Sequence, residues 1–167
     1  MIYCKQTTTS HHLANTYPEC LEDINSLLLS EGYIGSTSLF LSSEIVLNMD
    51  RAEELYSLSI GRAEKNMSMD FALGLKAVHD PINRQILLVE LKFNMTSFYN
   101  LKKQDLEDKV NGSINLLTGG VPVYKQYIFI FQRGYLAEAV SRIYRMNPML
   151  DSRFVAYDIE SLKGKFF

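Results

Sequence analysis

Two ionisable residues, Glu90 and Lys92, interrupt the apolar run from Ile86 to Phe93. Residues two apart on a strand point to the same face, so a strand here places the two charges side by side. Such groups are costly in an apolar strand unless they are paired, bind a metal or lie where water reaches. The run therefore predicts a chemical site, with an ordinary solvated strand pair as the alternative.

Asp70 is the third candidate, because it stands at the start of the preceding alternating segment, Phe71–Ala77. A five-residue turn over 80–84 would place Ala72 opposite Lys92, Gly74 opposite Glu90, and Asp70 on their face. A turn one residue shorter would put Asp70 on the other face. Two converging carboxylates repel unless a divalent cation lies between them. A neighbouring lysine then orients or deprotonates an attacking water, or neutralises charge on a phosphorane-like transition state.

The hydrophobic pattern predicts the elements that position these residues. Expected helices cover Pro18–Glu31, a segment from Ser43 onward, Phe98–Leu117 (capped by Thr96 or Ser97) and Tyr135–Met146 (ended by Asn147-Pro148). Expected strands cover Ile2–Cys4, Phe71–Ala77, Ile86–Phe93, Tyr127–Phe131 and Arg153–Ile159, with a turn at Asp80–Asn83. The helix from Ser43 either runs to Glu64 or stops near Glu53, with Tyr56, Leu58 and Ile60 alternating as a strand. A hairpin followed by strands joined through helices predicts an α/β (mixed α+β) fold, with a mixed sheet between helices.

Asp70, the turn and the run Leu88-Val89-Glu90-Leu91-Lys92 resemble the core signature of the PD-(D/E)xK nuclease superfamily, the restriction-endonuclease-like fold. In that pattern an Asp on one strand precedes Glu-x-Lys on the next; Met69 stands where the family commonly has proline. The resemblance implies an α-β-β-β-α-β core over residues 43–132 of a single domain, 1–167. Residues 1–42 then form an N-terminal extension with a helix, and 133–167 add a C-terminal helix and strand.

The resemblance also implies roles for residues. Asp70 and Glu90 would bind the metal, the backbone carbonyl of Leu91 would be a third ligand, and Lys92 would be the catalytic lysine. A further carboxylate is expected from the first helix, where Glu44 is the better-spaced candidate and Glu54 the weaker. The implied cofactor is Mg²⁺ or Mn²⁺. The implied reaction is phosphodiester hydrolysis in nucleic acid, DNA being favoured over RNA.

Composition narrows the class of protein without deciding its activity. The chain has 167 residues, 47% of them hydrophobic, with 17 basic and 19 acidic side chains and a net charge of −2. That balance gives no general attraction to nucleic acid. It leaves open a catalytically inactive nuclease-like fold that acts as a protein-binding or inhibitory module.

Location and the remaining candidate groups have simple interpretations. No apolar run approaches the roughly 20 residues of a membrane span, and Thr and His occupy the place of a signal peptide's apolar stretch. With Cys4 and Cys20 as reduced thiols, this predicts a cytoplasmic protein that has no membrane partner. The adjacent His11 and His12 are expected to be inert in a flexible tail. The remaining basic residues are interpreted as a solvated helix face (Lys102, Lys103, Lys109) and a tyrosine-flanked cluster (Arg142, Arg145, Arg153).

Overall fold

The computed structural model describes residues 1–80, 82–95, 97–146 and 148–167. Its strands are β1 Ile2–Tyr3, β2 Leu21–Asp23, β3 Ile45–Asn48, β4 Phe71–Lys76, β5 Arg84–Lys92, β6 Val123–Phe131 and β7 Phe154–Tyr157. Its α-helices are α1 Lys5–Thr9, α2 His12–Thr16, α3 Ile24–Ser30, α4 Met49–Ser59, α5 Lys103–Leu116, α6 Leu136–Tyr144 and α7 Ile159–Phe166. Short 3₁₀ turns cover Pro18–Cys20, Phe98–Asn100 and Arg133–Tyr135.

One mixed sheet organises the fold, with the strand order β2-β3-β4-β5-β6-β7 and β1 also paired to β4. Neighbouring strands from β2 to β5 are antiparallel, whereas β6 is parallel to β5 and β7 is parallel to β6. This arrangement confirms the predicted α/β class, the hairpin and the central mixed sheet flanked by helices. Within the described ranges, no helix is long and apolar enough to cross a membrane.

The two faces of the sheet pack against different helices. Ile86 and Leu88 of β5 lie in a core with residues of α2, α4, α5 and α6, whereas Leu87, Val89 and Leu91 pack with residues of α3 and α7. Strand β5 is therefore covered on both sides, as expected for a strand with a parallel neighbour. Any charge near its middle is consequently held in a poorly hydrated environment.

The register of the hairpin differs from the expected one by four residues. Ala72 lies opposite Leu88 and Gly74 opposite Ile86, because β4 ends at Lys76 and the connection runs over residues 77–83. The shift is even, so Asp70 still shares a face with Glu90. Pro81, within the expected turn, lies outside the described residues.

The helix expected from Ser43 was wrong in its start. Ile45–Asn48 instead forms β3, which pairs with both β2 and β4. Helix α4 begins at Met49, where the Asn48 side chain accepts a hydrogen bond from the Arg51 N–H (2.8 Å). Strand pairing of Ile45 and Val46 with β2, and of Leu47 with both β2 and β4, therefore outweighs the cap offered by Ser43. Helix α4 continues to Ser59, so the alternative strand at Tyr56–Ile60 is also wrong.

Three further expectations need correction. The predicted helix Pro18–Glu31 divides into a 3₁₀ turn, β2 and α3, because Asp23 caps a new helix by accepting from the Ser26 N–H. The predicted last strand ends at Tyr157, and α7 follows with Asp158 as its cap. The segment before Tyr17, where a flexible tail was expected around His11 and His12, contains α1 and α2. Thr96 and Asn147, proposed as a cap and an end signal, lie outside the described residues.

Candidate active site

The ends of two neighbouring strands bring Asp70 and Glu90 together. Asp70 directly precedes β4, and the ladder that pairs Phe71 with Val89 continues to place it beside Glu90. The N–H of Leu91 donates a hydrogen bond to Asp70 Oδ2, which fixes the carboxylate against β5. Asp70 is 7% exposed and Glu90 is 1% exposed. The sheet thus holds two carboxylates in a nearly dry position below α5.

Two lysines complete the arrangement. Lys109 of α5 places its Nζ 2.6 Å from Glu90 Oε1 and 3.6 Å from Asp70 Oδ1. The two carboxylate oxygens are therefore no farther apart than the sum of those distances. Lys92 Nζ also forms an ion pair with Glu90 Oε1. Asp70, Glu90, Lys92 and Lys109 are called the charge cluster below; the structure brings together all three residues proposed as catalytic.

Burial sets the electrostatics of this cluster. Desolvation, reinforced by the neighbouring charge of Glu90, raises the pKa of Asp70 from 3.8 to about 7, although Lys109 and the Leu91 N–H oppose the rise. Burial by itself would lower the pKa of Lys109, but Glu90 and Asp70 together raise it above its ordinary value. Near neutral pH the cluster therefore holds a charged Lys109 beside a carboxyl group that is easily protonated.

One oxygen of the cluster has no protein partner. Glu90 Oε2 is fully buried and makes no hydrogen bond to any residue that the structure describes. A buried acceptor left unpaired costs about 1–3 kcal/mol, and more when it is charged. A divalent cation of the Mg²⁺ type prefers carboxylate oxygens, so the donor set of Asp70 and Glu90 fits such an ion.

Two more carboxylates lie within electrostatic reach of the cluster. Glu31 follows the last residue of α3, and its pKa is raised by burial and by the charges of Asp50 and Glu90. Asp50, in the first turn of α4, is brought close because the neighbouring Met49 N–H donates to the Asp70 carbonyl (3.0 Å). Sequence reasoning missed both residues, because β3 was not recognised as a neighbour of β4.

The two other glutamates proposed as ligands, Glu44 and Glu54, are not brought into contact with the charge cluster. Glu44 precedes the far end of β3, about 15 Å along the strand from the level of Asp70, and its Oε2 accepts from the Leu41 N–H (2.7 Å). Glu54 is exposed and pairs with Arg51 at 2.6 Å. Leu91, whose backbone carbonyl is the proposed third ligand, contacts the charge cluster through its N–H, which donates to Asp70 Oδ2. No set of three His, Cys, Asp or Glu side chains placed to hold a metal was found in the described part of the chain.

The other candidate groups have mainly structural contacts. His11 is 2% exposed and caps α2 by accepting from the Leu13 N–H, so it does not lie in a flexible tail. Arg142 donates to the carbonyls of Phe98 and Leu101. Arg153 instead pairs with Asp151. Arg142 and Arg153, expected to belong to one basic cluster, therefore make separate structural contacts.

Comparison with known proteins assigns no family, since no family model, no curated protein and no solved structure matches this chain. A fold class alone does not define an activity, because one fold supports many functions. The function must therefore be argued from the charge cluster.

Proposed function

We propose that this protein is a divalent-metal-dependent phosphodiesterase that acts on nucleic acid. Asp70 and Glu90 would bind Mg²⁺ or Mn²⁺, and Lys92 would assist the attacking water. The observation that carries the proposal is the convergence of two buried carboxylates with Lys92 around a carboxylate oxygen, Glu90 Oε2, that has no partner among the described residues. Buried polar groups in native proteins normally have partners, so this oxygen is available to bind a cation.

The order of elements supports a restriction-endonuclease-like core. Helix α3, the antiparallel strands β3, β4 and β5, helix α5, and the strand β6 parallel to β5 follow one another as α-β-β-β-α-β. Helix α4 is an insertion between the first two of these strands. In this interpretation the first core helix is α3, so Glu31 at its end takes the place proposed for Glu44.

Each residue of the charge cluster has a defined task in this proposal. Asp70 and Glu90 hold the cation, and their mutual repulsion falls when it is present. A bound divalent metal supplies a water of lowered pKa and polarises the phosphoryl oxygen. Lys92, whose side chain is 21% exposed, faces the cluster from the more open end of β5 and orients the water. Lys109 places positive charge where negative charge develops on the phosphoryl group.

One observation favours a second function. Lys109 already bridges both carboxylates, so the cluster forms an ion-pair network without any metal. In that case the protein is an inactive nuclease-like fold that binds or inhibits a protein partner through its surface. The two functions differ in the response of the protein to metal.

The test is cleavage of end-labelled single- and double-stranded DNA and RNA in Mg²⁺, Mn²⁺ or EDTA. We expect metal-dependent cleavage that falls at least about 100-fold in Asp70→Asn, Glu90→Gln and Lys92→Ala. Glu54→Gln is the matched control, because this exposed carboxylate pairs only with Arg51 in the described contacts. Wild-type protein without activity on all four substrates, or three variants as active as wild type, would exclude the nuclease.

A further inference from the structure

A separate cavity of about 330 Å³ opens beside the sheet, at the carboxyl ends of β5, β6 and β7. Three of its walls come from the residues at or after those ends: Phe93, Gln132–Gly134 and Asp158–Glu160. The fourth wall is the loop 32–35 that follows α3. Ligands of sheets with parallel strands commonly bind outside the carboxyl ends of those strands. The volume is also that of a small-molecule site.

The walls of the cavity are mainly apolar. Tyr33 and Phe93 pack with ring centroids 5.2 Å apart, and Phe131 and Ile159 extend the same lining. Ile34 projects at the mouth and is 87% exposed. An apolar ligand in the cavity would cover Ile34 and remove its side chain from water.

A carboxylate lies in this apolar lining. Asp158 is 8% exposed, and its Oδ1 accepts a hydrogen bond from the Ser161 N–H (2.8 Å) at the start of α7. Burial raises the pKa of Asp158, but the contacts with Ser161 and the charge of Arg133 outweigh burial and keep that pKa below its ordinary value. Glu160 adds a second, exposed carboxylate. The cavity therefore suits an apolar ring whose edge carries N–H donors.

The cavity and the charge cluster are joined by chain continuity. Gly32 lines the cavity and follows Glu31, while Phe93 lines it and follows Lys92. The N–H₂ group of Asn94 donates to the carbonyl of Glu31 (3.3 Å), which holds the two segments together. Phe93 packs on the α3 and α7 side of the sheet, whereas Glu90 and Lys92 face α5, so a ligand with a ring in the cavity and an anionic group at the cluster must bend around the carboxyl end of β5.

We propose that the cavity binds a nucleobase bearing an exocyclic amino group, the base of the nucleotide whose phosphate lies at the charge cluster. The binding of the phosphate at the charge cluster rests on the proposed function, whereas the binding of the base rests on the cavity alone. A base enters such a pocket only when it is unstacked and unpaired. The substrate class is accordingly single-stranded nucleic acid, with guanine, cytosine or adenine at this position.

Free nucleosides test the base site without the metal site. Equilibrium binding is measured in EDTA, up to 10 mM ligand, for guanosine against inosine and for cytidine against uridine. The second member of each pair lacks the amino group. We expect guanosine to bind about 5- to 150-fold more tightly than inosine, because guanine offers the carboxylate two adjacent donors, N1–H and the amino group. Cytidine, which offers only its amino group, should exceed uridine by a smaller factor.

Two variants locate the binding. Asp158→Asn keeps the helix cap, because Asn caps as well as Asp, but removes the charge; it should abolish the preference for amino-bearing bases. Ile34→Ser should weaken binding severalfold, whereas Leu41→Ser, at an exposed apolar residue away from the cavity, should leave it unchanged. Absence of nucleoside binding, or an unchanged preference in Asp158→Asn, overturns this inference.

The outcome is independent of the cleavage test. Metal-dependent cleavage without nucleoside binding refutes the base site and leaves the proposed function standing. Nucleoside binding that depends on Asp158, in a protein that cleaves nothing, retains the base site and refutes the nuclease. Equal cleavage of single and double strands also contradicts the inference, because a paired base cannot enter the cavity.

Discussion

Asp70→Asn removes one charge from the charge cluster while keeping its shape. The amide oxygen of Asn still accepts from the Leu91 N–H that holds Asp70 Oδ2. In the metal-free protein, burial and the charge of Glu90 raise the pKa of Asp70 from 3.8 to about 7. A carboxyl group with a raised folded-state pKa favours folding at acidic pH, and that stability is lost as the pH rises from about 4 through 7.

The size of the effect follows from the shift. Three pKa units at about 1.4 kcal/mol each limit the cost of ionising Asp70 to about 4 kcal/mol above pH 7. The raised pKa already includes the opposing charge of Lys109, 3.6 Å away, so the loss of that contact does not reduce the gain a second time. We therefore expect Asp70→Asn in EDTA to be more stable than wild type at pH 8 by up to about 4 kcal/mol. At pH 5 the gain should fall to about 1.6 kcal/mol, because folded Asp70 is protonated there while unfolded Asp70 is already ionised.

Urea and thermal unfolding in EDTA at pH 5 and pH 8, repeated with Mn²⁺, give the measurement. Metal that binds only the folded state should stabilise wild type by about 2.7 kcal/mol at one hundred times its Kd, and Asp70→Asn should lose most of that gain. Glu54→Gln, whose carboxylate is exposed, serves as the control. A variant that is clearly less stable than wild type at pH 8, with a wild type insensitive to Mn²⁺, would refute the metal site and favour a structural ion network.

Two other predictions concern regions outside the charge cluster. Burial and the neighbouring His12 lower the pKa of His11 from 6.5 to about 4, so stability should fall by about 3 kcal/mol as the pH drops from 6.5 to 4. The free energy of unfolding of Asp70→Asn, measured from pH 6.5 to pH 4 with and without His11→Asn, checks this. If His11→Asn leaves the dependence of that free energy on pH unchanged, the prediction is contradicted. Gly112→Ala should cost about 1–3 kcal/mol, because its Cβ would lie 1.9 Å from the carbonyl oxygen of Met67. Gly164→Ala, with open space around it in α7, should be neutral or stabilising in the same melts.

The face shared by Asp70 and Glu90 could be predicted, but their register could not. Alternation along β4 and β5 fixes which side chains share a face, because the period of a strand is two. The number of residues in the connecting loop sets the register, and turn residues such as Asp80 do not define where pairing stops. Pairing stops at Lys76 and Arg84, so the connection is seven residues long, from 77 to 83.

The interpretation of Lys109 as part of a solvated helix face was wrong, because it used only the charges of its neighbours in the sequence. Its neighbours Asp105, Glu107 and Asp108 suggest a solvated helix face. Lys109 nevertheless lies three residues after the buried Leu106 and next to the buried Val110, so it borders the stripe that faces the sheet. What a lysine meets there depends on the opposite strand, and that information is not local. Glu44 was expected near Asp70 because strand β3, which directly follows Glu44, was not recognised in the sequence. In the structure β3 places Glu44 at the end of the strand that is far from Asp70.

The balance of charge around the charge cluster indicates an order of binding. When all are ionised, Asp70, Glu90, Glu31 and Asp50 outnumber Lys92 and Lys109 by two, so a phosphodiester meets net repulsion above the raised pKa of Asp70. In the proposed nuclease, a divalent cation would remove that excess, and only then would the site attract an anion. A net charge of −2 would then be compatible with a nucleic-acid substrate, because the attraction would come from the metal and not from the protein surface. The same balance explains why Lys109 lies between the carboxylates of Asp70 and Glu90.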